Sequence, residues 1–173
     1  MEARRDDLLY TMVSQKDYPG WGHLLRNGAT TIGESWDENS SLLHSSYLYV
    51  GAWFIHGVLG IQPDAAAPGF RHFNIRPAPV DQPALTWARG HYDSAHGRIE
   101  VAWRRTGDDF ELDVTVPPNT SAAVYVPAVA VAAITESGKP LVRVTGIGTV
   151  AMDGDRAVVA VQSGAYRFKS KVR

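Results

Sequence analysis

The segment GATTIGESWD, Gly28 to Asp37, sets a carboxylate, Glu34, and an indole, Trp36, among glycines, an alanine and two threonines. A carboxylate can serve as a general base or acid, and an indole face can stack on the apolar face of a pyranose. Small neighbours allow close approach of the backbone to a ligand, or equally close packing against another element. Taken alone, the residues leave both readings open. Glu34 also fits a helix-proximal or surface carboxylate, and Trp36 a core aromatic. His44 has the same two faces, since its imidazole can bond a sugar hydroxyl or sit satisfied in a core.

Other chemistries find less support. The six histidines, His23, His44, His56, His72, His91 and His96, form no His-x-x-x-His pair and have no acidic cluster beside them, so no metal site is expected. There is no phosphate loop, and the Ser40-Ser41 and Ser45-Ser46 pairs lack a Gly-x-Ser-x-Gly elbow. The absence of cysteine excludes disulfides, thiolate metal sites and a Cys nucleophile. No cofactor is expected. A net charge of -1 offers no footprint for phosphates, so nucleic acid is not an expected partner. The opening MEARRDDLLYTMVSQKD lacks the apolar run of a signal peptide, and no segment has the roughly 20 apolar residues of a membrane span. The expectation is a cytoplasmic chain without membrane contact.

The elements that would position these groups change character near residue 70. Leu43, Tyr47, Val50, Phe54, Val58 and Ile61 fall at helical spacing and predict a long helix over Ser40–Ile61. Asn39, Ser40 and Ser41 would cap it, with Asp37 and Glu38 at its positive end, and Gly60 and Pro63 would stop it. A shorter helix is expected over Arg4–Ser14 and a further turn over Trp21–Arg26. From Phe70 the period becomes two, as in Leu85–Arg89, Arg98–Trp103 and Phe110–Val116, with turn signals at Ala95-His96-Gly97, Thr106-Gly107-Asp108 and Pro117-Pro118-Asn119. About eight or nine strands fit an antiparallel β-sandwich. The fold class is α+β, with a helical segment over residues 1–69 and a sandwich over 70–173. The long helix is apolar nearly all round, with Leu42, Trp53 and Ile55 off its main stripe, and asks for neighbours on several sides.

YPGWGHLLRNGATTIGESWD, followed by PGFRHFNIRPAP, LTWARGHYDSAHGRIEVAW and VTVPPNTSAAVYVPA, resembles the C-terminal end of bacterial α-L-rhamnosidases, glycoside hydrolase family 78. The resemblance runs from about Leu8 to Phe168. It implies that the helical segment is the end of an (α/α)6 catalytic barrel, a six-hairpin glycosidase domain, and that a C-terminal β-sandwich follows. It also implies inverting hydrolysis of terminal α-L-rhamnosides, with Glu34 in the place of the general base, Trp36 and His44 shaping the sugar pocket, and the general acid in an upstream part of the barrel. Two positions depart from the family pattern: Gly33 stands where Trp usually precedes the Glu, and Gly51-Ala52-Trp53 replaces the common Gly-Glu-Trp. The first removes an aromatic wall from the pocket and the second a carboxylate.

Two functions follow. The chain is a C-terminal portion of an α-L-rhamnosidase-like hydrolase, inactive alone because the acid is absent, with a rhamnosyl glycoside as ligand and the remaining barrel as partner. Alternatively it is a non-catalytic β-sandwich module for domain packing or weak carbohydrate binding, self-associating through its exposed helix, with Trp87, Tyr92, Trp103, Tyr125, Tyr166 and Phe168 as candidate face or core aromatics.

Overall fold

The computed structural model describes residues 5–37, 39–45, 48–78, 85–141 and 144–172. The chain divides into two compact units, Met1–Phe54 and Ile55–Arg173. No helix is long and apolar enough to cross a membrane.

The first unit holds α1 (Asp6–Ser14), α2 (Trp21–Arg26) and α3 (Val50–Trp53). Asp6 and Asp7 occupy the first turn of α1, where negative charge meets the positive end of the helix dipole. Asp6 also accepts the indole N–H of Trp53 at 2.8 Å, so the start of the unit is tied to its end. Between α1 and α2 the chain turns through Tyr18-Pro19-Gly20. A Cβ on Gly22 would lie 2.4 Å from the Gln15 carbonyl oxygen, so only glycine lets α2 approach the end of α1 this closely. Leu24 and Trp53 are the buried large apolar side chains of this unit among the described residues.

The expected helix over Ser40–Ile61 is much shorter. Among the described residues only Val50–Trp53 is α-helical there, continued by one π-helical turn, Phe54–Val58. The cause lies upstream: residues 41–44 pair with residues 32–34, His44 N–H to the Ile32 carbonyl at 2.9 Å and Glu34 N–H to the Ser41 carbonyl at 2.8 Å. That extended pairing consumes the backbone groups a helical first turn would need. Ser40 and Ser41 consequently bond within the loop, to Ser35 and to the Leu43 carbonyl, and cap no helix. Of the apolar stripe read as a helix face, Leu43 and Phe54 are open to solvent while Val58 and Ile61 are buried; Tyr47 lies outside the described residues.

The second unit is a nine-stranded sheet among the described residues, β1 (Ile61–Pro63), β2 (His72–Ile75), β3 (Trp87–Ser94), β4 (Gly97–Thr106), β5 (Asp109–Pro127), β6 (Thr135–Glu136), β7 (Lys139–Pro140), β8 (Ile147–Asp153) and β9 (Arg156–Lys171). Two long strands, β5 and β9, pair from end to end except at one irregularity and divide it into two parts. The first part of β5 pairs with β4, which pairs with β3, while the matching end of β9 pairs with β6. The second part of β5 pairs with β2, and the matching end of β9 pairs with β8. The strands therefore run as β3-β4-β5-β9-β6-β7 at one end and β1-β2-β5-β9-β8 at the other, the connectivity of a sandwich whose long strands pass from one layer to the next. All pairs are antiparallel except β2 with β5.

Pro117-Pro118-Asn119, expected as a turn, lies inside β5 as an irregularity. From Val116 to Ser121 β5 takes five steps while β9 takes two from Gly164 to Gln162. Proline has no N–H for the ladder and is tolerated at such a bulge. The odd excess changes which residues face inward on β9: Ala157, Val159 and Val161 are buried before it, Tyr166, Phe168 and Ser170 after it. β5 keeps its phase, with Phe110, Leu112, Val114 and Val116 inward, then Ala122, Val124 and Val126. Trp103 stacks on Phe110 and Tyr166 on Phe168 within this core. Trp87, in contrast, is 62% exposed, so the aromatics of the strand region form no single outer face.

Candidate functional site

Residues 28–37 and 39–45 form the two limbs of a loop joined by backbone pairing. Two bonds, His44 N–H to Ile32 and Glu34 N–H to Ser41, join its two limbs, and the Thr31 hydroxyl donates to the Leu42 carbonyl between them. The pairing brings the backbones of Glu34 and His44 onto adjacent segments. Glu34 is exposed, while Trp36 and His44 are half-buried. Gly33 is buried between the limbs, where a Cβ would lie 3.0 Å from the Ser41 carbonyl oxygen.

Trp36 is held from outside the loop. Its ring meets that of Trp21, the first residue of α2, edge-on, with centroids 5.1 Å apart and planes at 90°. This geometry suits the aromatic quadrupoles, worth about 0.5–1.5 kcal/mol beyond area burial. The Tyr18 and His23 rings meet in the same manner at 5.5 Å.

Residues beyond Glu34, Trp36 and His44 shape the loop, several of which spacing alone assigns to helix capping. The Asp37 carboxylate accepts the Ser35 hydroxyl at 2.6 Å, the Asn39 side-chain amide at 3.1 Å and the Asn39 backbone N–H at 3.4 Å. The Ser35 and Ser40 hydroxyls lie 2.9 Å apart. The Ser35 hydroxyl, then the Asn39 amide and N–H, hold the Asp37 carboxyl below the usual aspartate range. The Ser-x-Asp-x-Asn-Ser spacing is the signal for such a network, because these side chains bond nearby backbone and one another in turns.

Chemically, the loop carries an exposed carboxylate, Glu34, an indole, Trp36, and an imidazole, His44. That set can activate a water or accept sugar hydroxyls. Among the described residues no group of three His, Asp or Glu side chains could hold a metal ion.

Two family models match consecutive parts of the chain. Residues 1–58 match the family model for the bacterial α-L-rhamnosidase six-hairpin glycosidase domain, and residues 60–140 that for the bacterial α-L-rhamnosidase C-terminal domain. An α-L-rhamnosidase of an Alteromonas species is 35% identical over 84% of this chain, and one of Streptomyces avermitilis 34% identical over 94%. The crystal structure of the Streptomyces avermitilis α-L-rhamnosidase complexed with L-rhamnose superimposes on 94% of the chain with a TM-score of 0.79 at 31% identity. The α-L-rhamnosidase structure from Dictyoglumus thermophilum covers 96% of it with a TM-score of 0.80 at 27% identity. This chain spans 17% and 16% of the length of the Alteromonas and Streptomyces relatives, and 16% and 19% of the two solved chains. Two consecutive family models, with relatives and structures in agreement along nearly the whole chain, place it in the bacterial α-L-rhamnosidase family, where it corresponds to the end of the hairpin domain and the C-terminal domain.

Proposed function

We propose that this chain supplies the base-bearing part of a hydrolase of terminal α-L-rhamnosides, with Glu34 as general base and Trp36 and His44 shaping the sugar pocket. The observation that carries the reading is an exposed Glu34 on a loop whose two limbs, joined by two backbone bonds, also carry the half-buried Trp36 and His44. Support comes from relatives named α-L-rhamnosidase, one of them complexed with L-rhamnose.

In inverting hydrolysis one carboxylic acid protonates the leaving oxygen while a carboxylate on the opposite face deprotonates the attacking water, the two standing roughly 6.5–9.5 Å apart. Glu34 takes the second role. Its exposure gives it access to water, and the pyranose would lie against the Trp36 ring while the His44 imidazole bonds a hydroxyl. The acid comes from hairpins upstream of the matched region. Without it the chain alone lacks a contribution of order a hundred- to ten-thousand-fold.

A chimera tests this reading: the Streptomyces avermitilis relative with its aligned C-terminal part replaced by this chain. An aryl α-L-rhamnoside should be hydrolysed by the chimera, and Glu34→Gln should lower kcat by order 10²–10⁴. A folded chimera whose turnover is indifferent to Glu34→Gln would overturn the assignment, and turnover by the 173-residue chain alone would overturn the need for an upstream acid.

A further inference from the structure

We infer that Asp37 is the positioning residue of the Glu34 loop: by gathering Ser35, Asn39 and, through Ser35, Ser40, its carboxylate ties together the two limbs that carry Glu34 and His44. The inference rests on Glu34 being the base for its functional meaning, and on bonds within the loop for its structure. The proton count of the hydroxyls fixes the direction of the chain. Ser35 has a single hydroxyl proton, and at 2.6 Å from Oδ1 it goes to the carboxylate. The Ser35 oxygen is then an acceptor, so Ser40 donates to it across 2.9 Å. Asn39 supplies two further donors, to Oδ2 and Oδ1. Three donors on one carboxylate, one of them relayed from Ser40, draw residues 35 and 40 together directly beyond the Glu34–Ser41 bond.

An aspartate is needed here because only an ionised carboxylate accepts at both oxygens without donating. Protonation puts a hydrogen where a donor already points, and an Asn at 37 would turn an amide NH₂ toward another donor. The groups against Asp37 among the described residues are the uncharged Ser35 and Asn39, and no charged side chain contributes to its depressed pKa. The closure should therefore persist at neutral pH and fail as the pH falls through that depressed value.

Amide exchange of the full-length chain, read by NMR, tests this without any turnover. The Glu34 and His44 amides, bonded to Ser41 and Ile32, are the reporters, and the Leu24 amide of α2, bonded to Gly20, is the control. Asp37→Asn and Asp37→Ala should each lower protection at Glu34 and His44 about tenfold or more, as expected for losing hydrogen bonds to a charged acceptor, and leave Leu24 unchanged. Protection at the two reporters, corrected for intrinsic exchange, should drop in acid in the parent chain and be flat in Asp37→Asn. Unchanged protection in Asp37→Asn, or the same acid transition in parent and variant, would overturn the inference. Loss at Leu24 together with the reporters would mean general unfolding and would also count against it. Because the readout ignores hydrolysis, failure here leaves the Glu34 assignment standing, and failure of the chimera leaves this result standing.

Discussion

The indole N–H of Trp103, in the middle of β4, donates to the carbonyl of Val58 at 2.8 Å, across 45 positions of sequence. Both residues are buried, and the bond ties Val58, the last residue of the π-helical turn, to β4. Replacing Trp103 by Phe keeps an aromatic ring but leaves the Val58 carbonyl unsatisfied, a loss of roughly 1–3 kcal/mol. Urea unfolding should show a lower midpoint at unchanged slope; an unaltered midpoint would show that water satisfies the carbonyl.

Gly60 and Gly107 separate backbone handedness from steric room. Both have positive φ, 75° and 59°. At Gly107 a Cβ meets nothing within 4 Å, whereas at Gly60 it would lie 2.1 Å from the Arg76 carbonyl carbon and 2.2 Å from the Pro77 nitrogen. Gly107→Ala should cost only the left-handed penalty, roughly 1–2 kcal/mol. Gly60→Ala adds an overlap with backbone that cannot rotate away, and should exceed about 3 kcal/mol or prevent folding. Equal thermal shifts in the two variants would contradict this reading.

On the outer face of β5 and β9 three opposite-charge pairs sit directly across the ladder: Asp109 with Lys171 at 2.7 Å, Glu111 with Lys169 at 2.5 Å and Asp113 with Arg167 at 2.7 Å. Lys169 first holds Glu111 below the usual glutamate range, and Asp109 raises Lys171 above the usual lysine range. A depressed carboxylate contributes stability that is present above its ordinary pKa and lost as pH falls through the depressed value. A raised lysine contributes below its ordinary pKa and loses it as pH rises through the raised one. The ladder should thus favour the native register across the neutral range and weaken at both ends. All these side chains are about half exposed or more, so a double-mutant cycle on Glu111 and Lys169 should return only about 0.2–1 kcal/mol, falling with added salt. A coupling that salt leaves untouched would argue against a screened surface pair.

The sheet is legible in the sequence because its physics is local. Period-two alternation names the inward residues of β4 and of the first part of β5, and Gly107 and Gly154 mark turns where the structure has positive φ. The Pro-Pro step reads as a turn, since a bulge is distinguishable only when its partner strand is known. The long helix fails for a related reason. Helical spacing from Leu43 to Ile61 records where apolar groups lie, but not that Ile32 and Glu34 have taken the backbone partners of residues 41–44. At the candidate site, Glu34 and Trp36 stand out by type, whereas Trp21 as the partner of Trp36 depends on the approach of α2 and has no trace in spacing.

Gly33 is where the loop and its family pattern part. It is buried between limbs joined by the Glu34–Ser41 bond, and a Cβ there would press on the very carbonyl that bond uses, at 3.0 Å. The Ser41 carbonyl belongs to backbone, so relief requires the limbs to give by a few tenths of an ångström, which strains the Glu34–Ser41 bond. Gly33→Ala should therefore destabilise the loop by about 1 kcal/mol, and Gly33→Trp, the residue usual in the resembled motif, by about 1–3 kcal/mol. Exchange of the Glu34 amide should be slowest in the parent chain, faster in Gly33→Ala and fastest in Gly33→Trp, while the Phe168 amide in β9 stays unchanged. If Gly33→Trp instead protects the Glu34 amide, the limbs accept an aromatic wall without opening, and the small residue at this position is not what keeps the loop closed.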